Sequence, residues 1–206
     1  MKVTAITQQA KNKNRYSVFV DEKYSFSLSM DGLLEAKLKT GDELSEAEVR
    51  QFKKQSEDGK LYDRLIGLLA KRPRSRWELE EYLKRKKVEP ETQAQLLGKL
   101  EDKKLIDDQD FARRWVENRR LLKPMSRRKL RQELMQKRID HDIIERVLEE
   151  DESSERGVLR ELIEKKRHIS KYKNDRQKFM QYLARQGFNY GDIKDVLHET
   201  DTSPGD

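Results

Sequence analysis

Apolar side chains return along this chain at offsets that repeat three times. Counting from Ser75, Ser126 and Asp175, they stand four positions on (Leu79, Leu130, Phe179), eight on (Leu83, Leu134, Leu183) and thirteen on (Val88, Ile139, Phe188). Each copy then closes on an adjacent pair, Leu96-Leu97, Val147-Leu148 or Val196-Leu197. A period of this length belongs to small units that bury little alone and complete one another's cores when stacked. Within each copy the spacing is that of amphipathic helices, three per unit. The first unit is expected to place helices over Leu61 to Ala70, over Ser75 to Lys86, and from Pro90 onward. Ser75 with Glu78 reads as a capping box, and proline suits a first helical turn. The second runs from Asp108 through Leu122, breaks at Pro124, restarts at Ser126 and restarts again near Asp140 or Asp142. The third spans roughly Glu152 to His198, with Gly187 as a left-handed cap after its second helix. Lys87 and Arg138 occupy the positions equivalent to Gly187, where a left-handed backbone would cost each about 1 kcal/mol relative to glycine.

The first 58 residues follow a different period. Val3 to Ile6, Tyr16 to Val20 and Tyr24 to Leu28 are rich in β-branched and aromatic residues, and the last two alternate across the short Asp21-Glu22-Lys23 connection. They predict a hairpin with a third strand upstream. An apolar stretch ending near Leu38, a turn at Gly41-Asp42 and a helix over Glu46 to Gln55 follow, this helix capped by Ser45 and Glu48. The fold expected is therefore mainly α: a tandem array of three three-helix repeats behind a small N-terminal domain containing a β-hairpin. The expected boundaries are 1–58 for the head, 59–107, 108–151 and 152–200 for the repeats, and 201–206 for a frayed tail.

Composition narrows the function classes. Of 206 residues, 34% are hydrophobic and 41% charged, a profile of thin helical units rather than a deep enzyme core. No window resembles a membrane span, and the first residues lack the apolar centre of a secretory signal, so a cytoplasmic protein is expected; a monomer is the expected state, which these features do not decide. The absence of cysteine excludes disulfides, thiol nucleophiles and cysteine-based zinc sites. His141, His168 and His198 lie too far apart for paired metal ligation on one helical face, and the nine glycines form neither a phosphate loop nor a dinucleotide fingerprint. Asp107, Asp108 and Asp110 form the one tight carboxylate cluster, readable as a Mg²⁺ site of a nuclease or as caps at a helix start; capping is the favoured reading. Neither an enzyme, a cofactor nor a metal is expected.

Charge gives the positive signal. The net charge of +7 is the sum of a neutral head, a middle block of residues 59–148 with 25 basic and 16 acidic side chains, and a slightly acidic end with 11 and 13. Residues 113–138 alone hold eleven Lys or Arg against Glu117 and Glu133. A solvated helical face ordinarily mixes both signs, so this imbalance reads as a surface for polyanions or acidic protein faces. Candidate contact residues are Arg72, Arg74, Arg76, Arg113, Arg114, Arg119, Arg120, Arg127, Arg128, Lys129 and Arg131. Arg127, Arg128 and Arg131 also flank a helix amino end, which adds its dipole. Trp77 has no aromatic counterpart in the other copies and either packs against a neighbouring element or waits as an anchor for a partner. Trp115 and Phe111, four apart, are expected in the core.

Two stretches, LLAKRPRSRWELEEYLKRKKV (Leu68 to Val88) and LIDDQDFARRWVENRRLLKPMSRRKLRQELMQKRI (Leu105 to Ile139), resemble the signature of the RecX regulators, with a weaker third copy from Asp175 to Leu197. The resemblance implies a non-enzymatic protein that modulates the RecA recombinase in homologous recombination, DNA repair and the SOS response. It further implies binding in the groove of the RecA filament on single-stranded DNA, with filament growth or strand exchange restrained. The residues taken alone leave open a stand-alone DNA-binding protein built of helix-turn-helix-like modules, on single- or double-stranded DNA.

Overall fold

The computed structural model describes residues 1–202, with side chains through 201. The described residues divide into two compact units, Met1–Arg72 with Val88–Gly98, and Pro73–Lys87 with the stretch from Lys99 onward.

The first unit opens with strands β1 (Val3–Gln8), β2 (Arg15–Val20) and β3 (Lys23–Ser29), antiparallel in the order β1-β2-β3. All three expected strands form. The β2–β3 hairpin closes on Asp21 and Glu22, whose φ angles of 48° and 67° give the doubly left-handed two-residue turn that matches strand twist. Asp21 accepts the Lys2 amide at 2.8 Å and Thr4 Oγ1 accepts that of Glu22 at 3.0 Å, so β1 helps hold a turn that contains no glycine. The alternation of the strands buries Val3, Val18, Val20, Phe26 and Leu28 against Leu44 and Val49.

Helix α1 (Met30–Ala36) follows, capped by Ser29, and then α2 (Glu46–Leu69). The Ser45–Glu48 capping box is present on α2. Two helices separated near Gly59 were expected; they are one helix of 24 residues. The glycine marks a close approach instead. A Cβ at position 59 would lie 3.1 Å from a guanidinium nitrogen of Arg15, which is buried between sheet and helix. Arg15 donates to Ser27 O at 2.8 Å, Ser27 Oγ at 3.0 Å, Ser56 O at 3.2 Å and the Asp63 carboxylate at 3.0 Å. Ser56 Oγ in turn accepts the Ser27 amide at 3.0 Å. A buried polar seam therefore locks α2 to β2 and β3 beside the apolar core.

The remaining helices are α3 (Arg76–Arg85), α4 (Pro90–Asp102), α5 (Asp108–Leu122), α6 (Arg127–Gln136), α7 (His141–Glu150), α8 (Glu155–Arg167), the single turn α9 (Ser170–Lys173), α10 (Arg176–Arg185) and α11 (Tyr190–Thr202). The first repeat takes its helices from the end of α2, α3 and α4; the second is α5–α7, and the third α8–α11. Ser75, Ser126 and Asp175 cap the middle helices. The second repeat buries Phe111, Val116, Leu130, Leu134, Ile144, Val147 and Leu148 in one core, and the third gathers Leu159, Leu162, Phe179, Leu183, Phe188, Ile193 and Val196 in another. Trp115 packs on the first of these, its ring 5.6 Å from that of Phe111. Trp77 is half-buried. Of the tail expected from Asp201, Asp201 and Thr202 close α11, and residues 203–206 lie outside the described residues.

Successive middle helices meet end to end at a joint that occurs twice. At the first, Ser75 Oγ donates to Lys137 O at 3.1 Å, the Arg76 amide donates to Asp108 at 2.8 Å, and Lys137 Nζ pairs with Glu78 at 2.9 Å. At the second, the Ser126 amide donates to Gln186 O at 3.0 Å and the Arg127 amide to both oxygens of Glu155 at 3.2 Å. Each joint sets the amino end of one helix on the carboxyl turn of the next, which aligns their dipoles and satisfies end groups that otherwise need water. Gly187 has φ +95°, as expected; Lys87 and Arg138 are left-handed too, at 56° and 55°. Glycine is obligatory only at the second joint, where a Cβ would fall 2.1 Å from Ser126 Oγ.

Candidate interaction surface

The joints decide the fate of the basic residues. Arg76 pairs with Glu101 at 2.7 Å and Glu80 at 3.7 Å; Arg113 pairs with Glu150 at 3.3 Å and Arg114 with Asp110 at 2.8 Å. Arg119 holds Glu133 at 2.7 Å and stacks on Trp115, its guanidinium carbon 4.5 Å from the ring centre, while the Trp115 indole N–H donates to the same Glu133 at 2.9 Å. Lys137 covers the ring at 5.2 Å. Arg120 is nearly buried and bridges Asp151, at 2.6 Å, to Met125 O. Arg127 turns inward to the carbonyls of Asp151 and Ser153. Arg131 grips Glu145 through two bonds of 2.6 and 2.7 Å. Arg72 is exposed and Arg74 half-buried.

What remains outward is a smaller set. Arg128 is exposed and makes no ion pair with any described residue, and Lys129 reaches only Gln132 Oε1, at 3.3 Å. Both line an open groove over the second joint together with Gln132, Ala184, Arg185 and Gly187. Arg185 is exposed and likewise without a carboxylate partner among the described residues. Among the described residues, three cations and no acid face this groove. The helix amino end beneath it is already occupied, since Glu155 takes the Arg127 amide where a phosphate was a candidate ligand. Sequence reasoning missed Arg185, because residues 149–206 carry more acids than bases in sum and only the joint brings it beside Arg128. Averaging also hid a run in the third repeat, residues 165–178, where seven Lys or Arg face Asp175 alone.

The carboxylate cluster resolves into separate tasks. Asp107 caps α5, accepting the amides of Gln109 and Asp110 at 2.8 and 3.0 Å. Asp110 pairs with Arg114, and Asp108 belongs to the first joint, where burial raises its pKa although the Arg76 amide and charge pull it down. Asp151 shows the opposite balance. Burial raises its pKa, but the hydrogen bonds from Arg120 and Ser153 outweigh that, leaving the carboxyl below its ordinary value. A depressed acid stabilises the fold fully above its unfolded pKa, and that contribution is lost as pH falls through the folded one. Asp151→Asn is therefore expected to flatten the loss of stability between about pH 5 and pH 2, measured by urea denaturation.

Fold and surface together define a tandem helical-repeat protein, with its middle helices joined end to end and cations collected over a joint. The model of the regulatory protein RecX N-terminal domain matches residues 1–45, and those of the first, second and third RecX three-helix domains match 62–100, 107–148 and 155–197. The regulatory protein RecX of Listeria welshimeri is 33% identical over 193 residues, spanning 92% of this chain and 72% of that protein. Its counterpart in Bacillus subtilis is 31% identical over 201 residues, 96% and 76% of the two chains. A crystal structure of regulatory protein RecX superposes with a TM-score of 0.74 at 27% identity, covering 94% of this chain and 98% of that one. The chain belongs to the RecX family of regulatory proteins. No helix among its described residues is long and apolar enough to cross a membrane.

Proposed function

We propose that this protein regulates RecA by lodging along the groove of the RecA filament on single-stranded DNA, restraining ATP hydrolysis and strand exchange. The observation that carries the reading is the uncompensated groove of Arg128, Lys129 and Arg185 over the joint between the second and third repeats. Family membership supplies the partner, and the joints link α3, α6 and α10 in series, a repeat arrangement suited to contacts with a repeating partner. Bases left without internal acids keep their field for phosphates or for acidic protein faces. Arginines already held by Glu133, Asp151 and Glu145 do structural work, and their reversal would disturb the fold itself.

The test is RecA-driven ATP hydrolysis on single-stranded DNA with increasing amounts of this protein. Wild type is expected to depress the rate. Combined Arg128→Glu and Arg185→Glu is expected to raise the concentration needed by about tenfold or more, as the loss of two phosphate-type contacts implies, with far-ultraviolet circular dichroism unchanged. Full inhibition by that variant would move the contact elsewhere. Equal affinity for naked duplex and for the filament at physiological salt would favour a stand-alone DNA-binding protein.

A further inference from the structure

The third repeat holds a second basic site that is closed by the chain's own carboxylate. Between α8, α9, α10 and α11 lies a pocket of about 380 Å³ with an apolar floor of Ile163, Phe179 and Leu197 and a rim that includes Arg167, Lys173 and Arg176. Tyr172 forms one wall, stacked on Phe179 at 5.2 Å. Both arginines converge on one group: Arg176 Nη1 lies 2.6 Å from one oxygen of Asp201 and Arg167 Nη2 lies 3.4 Å from the other. Two guanidiniums on the two oxygens of a single anion is the geometry of a phosphate clamp.

Local helix electrostatics set Arg176 and Asp201 against the dipoles of their own helices, whereas Arg167 and Lys173 lie in last turns that favour cations. Arg176 is the first residue of α10, a position unfavourable for a cation, although the Asp175 carboxylate caps that amino end by accepting the Lys178 amide at 2.9 Å. Asp201 sits in the last turn of α11, where a negative charge is unfavourable and no basic residue of that turn offsets it. The clamp compensates both. Opening it exposes an anion-seeking site with an aromatic wall, in a stretch whose cations outnumber its acids.

We propose that this pocket receives a nucleotide unit of single-stranded nucleic acid, its backbone phosphate replacing Asp201 between Arg167 and Arg176 and its base lying over the apolar floor beside Tyr172. Asp201 then acts as an internal competitor that keeps free protein from binding nucleic acid indiscriminately. The inference rests on the reading that the protein works on nucleoprotein, and it assigns the third repeat a direct contact with the strand.

The experiment measures fluorescence anisotropy of a labelled oligothymidine with the full chain across a salt series. Asp201→Asn is expected to tighten binding by about threefold to tenfold, the loss of one charge-assisted competitor. Arg167→Gln with Arg176→Gln is expected to weaken it by about tenfold and to reduce the salt slope by between about one and two. The deciding comparison is Asp201→Asn made in that double-glutamine background, where its effect should vanish. Persistence of the effect there would mean general charge removal and overturn the pocket assignment, as would an unchanged affinity in Asp201→Asn itself. Inorganic phosphate or a mononucleotide bound as tightly as the oligothymidine would make this a small-anion site and also overturn it. RecA ATP hydrolysis read in parallel separates the two proposals: oligonucleotide effects as expected with no influence on RecA would retain the pocket and discard the RecA reading, and the reverse result would discard only the pocket.

Discussion

Arg15→Met is expected to cost about 3–5 kcal/mol, the range for removing one member of a buried, hydrogen-bonded charge network. The side chain is 5% exposed and its guanidinium donates to the oxygens of Ser27, Ser56 and Asp63. Methionine fills part of the volume but supplies no donor, so the carbonyls of Ser27 and Ser56 lose a partner inside the seam. Asp63 is 45% exposed and returns to water at little cost. The loss therefore falls on the buried carbonyls. Arg15→Lys should recover only part of it, because one ammonium cannot span Ser27, Ser56 and Asp63 at once. Chemical denaturation followed by circular dichroism gives the magnitude, and amide exchange gives its location. Faster exchange is expected first in β1–β3 and the middle of α2. A loss below about 1 kcal/mol, the value of an ordinary exposed contact, would show that the seam is a consequence of packing by the apolar core and not a cause of it.

The same seam shows where sequence periodicity stops being informative. The repeats were legible because each buries its leucines at helical spacing with a polar cap one residue ahead, so Ser75, Ser126 and Asp175 announce their helices. The strands were legible for the corresponding reason at period two. Gly59 was misread as a boundary: a glycine amid polar residues is the usual mark of a linker, and only the arginine 44 positions earlier, brought across by the sheet, explains it. The candidate surface was legible as a sum of charges but not as a surface. Local sequence shows Arg119, Arg120 and Arg131 as unbalanced cations, whereas their partners Glu133, Asp151 and Glu145 arrive through tertiary contact from the next helix or from the α7–α8 link. Arg185 and Asp201 became significant for the same reason in reverse. Net charge counted along the chain cannot distinguish a cation neutralised at 2.7 Å from one facing solvent, and that distinction decides which residues are left for a partner.

Gly187→Ala is the second large effect, and it should act on the array instead of the head. The added Cβ would lie 2.1 Å from Ser126 Oγ and 2.9 Å from Lys129 Cβ, on a backbone whose φ of +95° already disfavours any L side chain. Rotating Ser126 relieves the first contact but forfeits its cap on the Lys129 amide, held at 3.1 Å. Moving the backbone instead breaks the Ser126–Gln186 bond and the Glu155 clip together. Either route costs about 2–4 kcal/mol as a sum of one cap, left-handed strain and one or two buried hydrogen bonds. Amide exchange should quicken across α8–α11 while α5–α7 stay protected, so the second and third repeats would unfold as separate units where wild type couples them. Gly187→Ala with Ser126→Gly should regain part of the stability, since it removes the offending oxygen and keeps the amide bond to Gln186. At the sister joint the sign inverts: Arg138 bears left-handed strain with no comparable collision, and Arg138→Gly should be neutral or stabilising by up to about 1 kcal/mol. Should Gly187→Ala leave the third repeat as protected as wild type, the joints would be mere contacts between independently stable bundles.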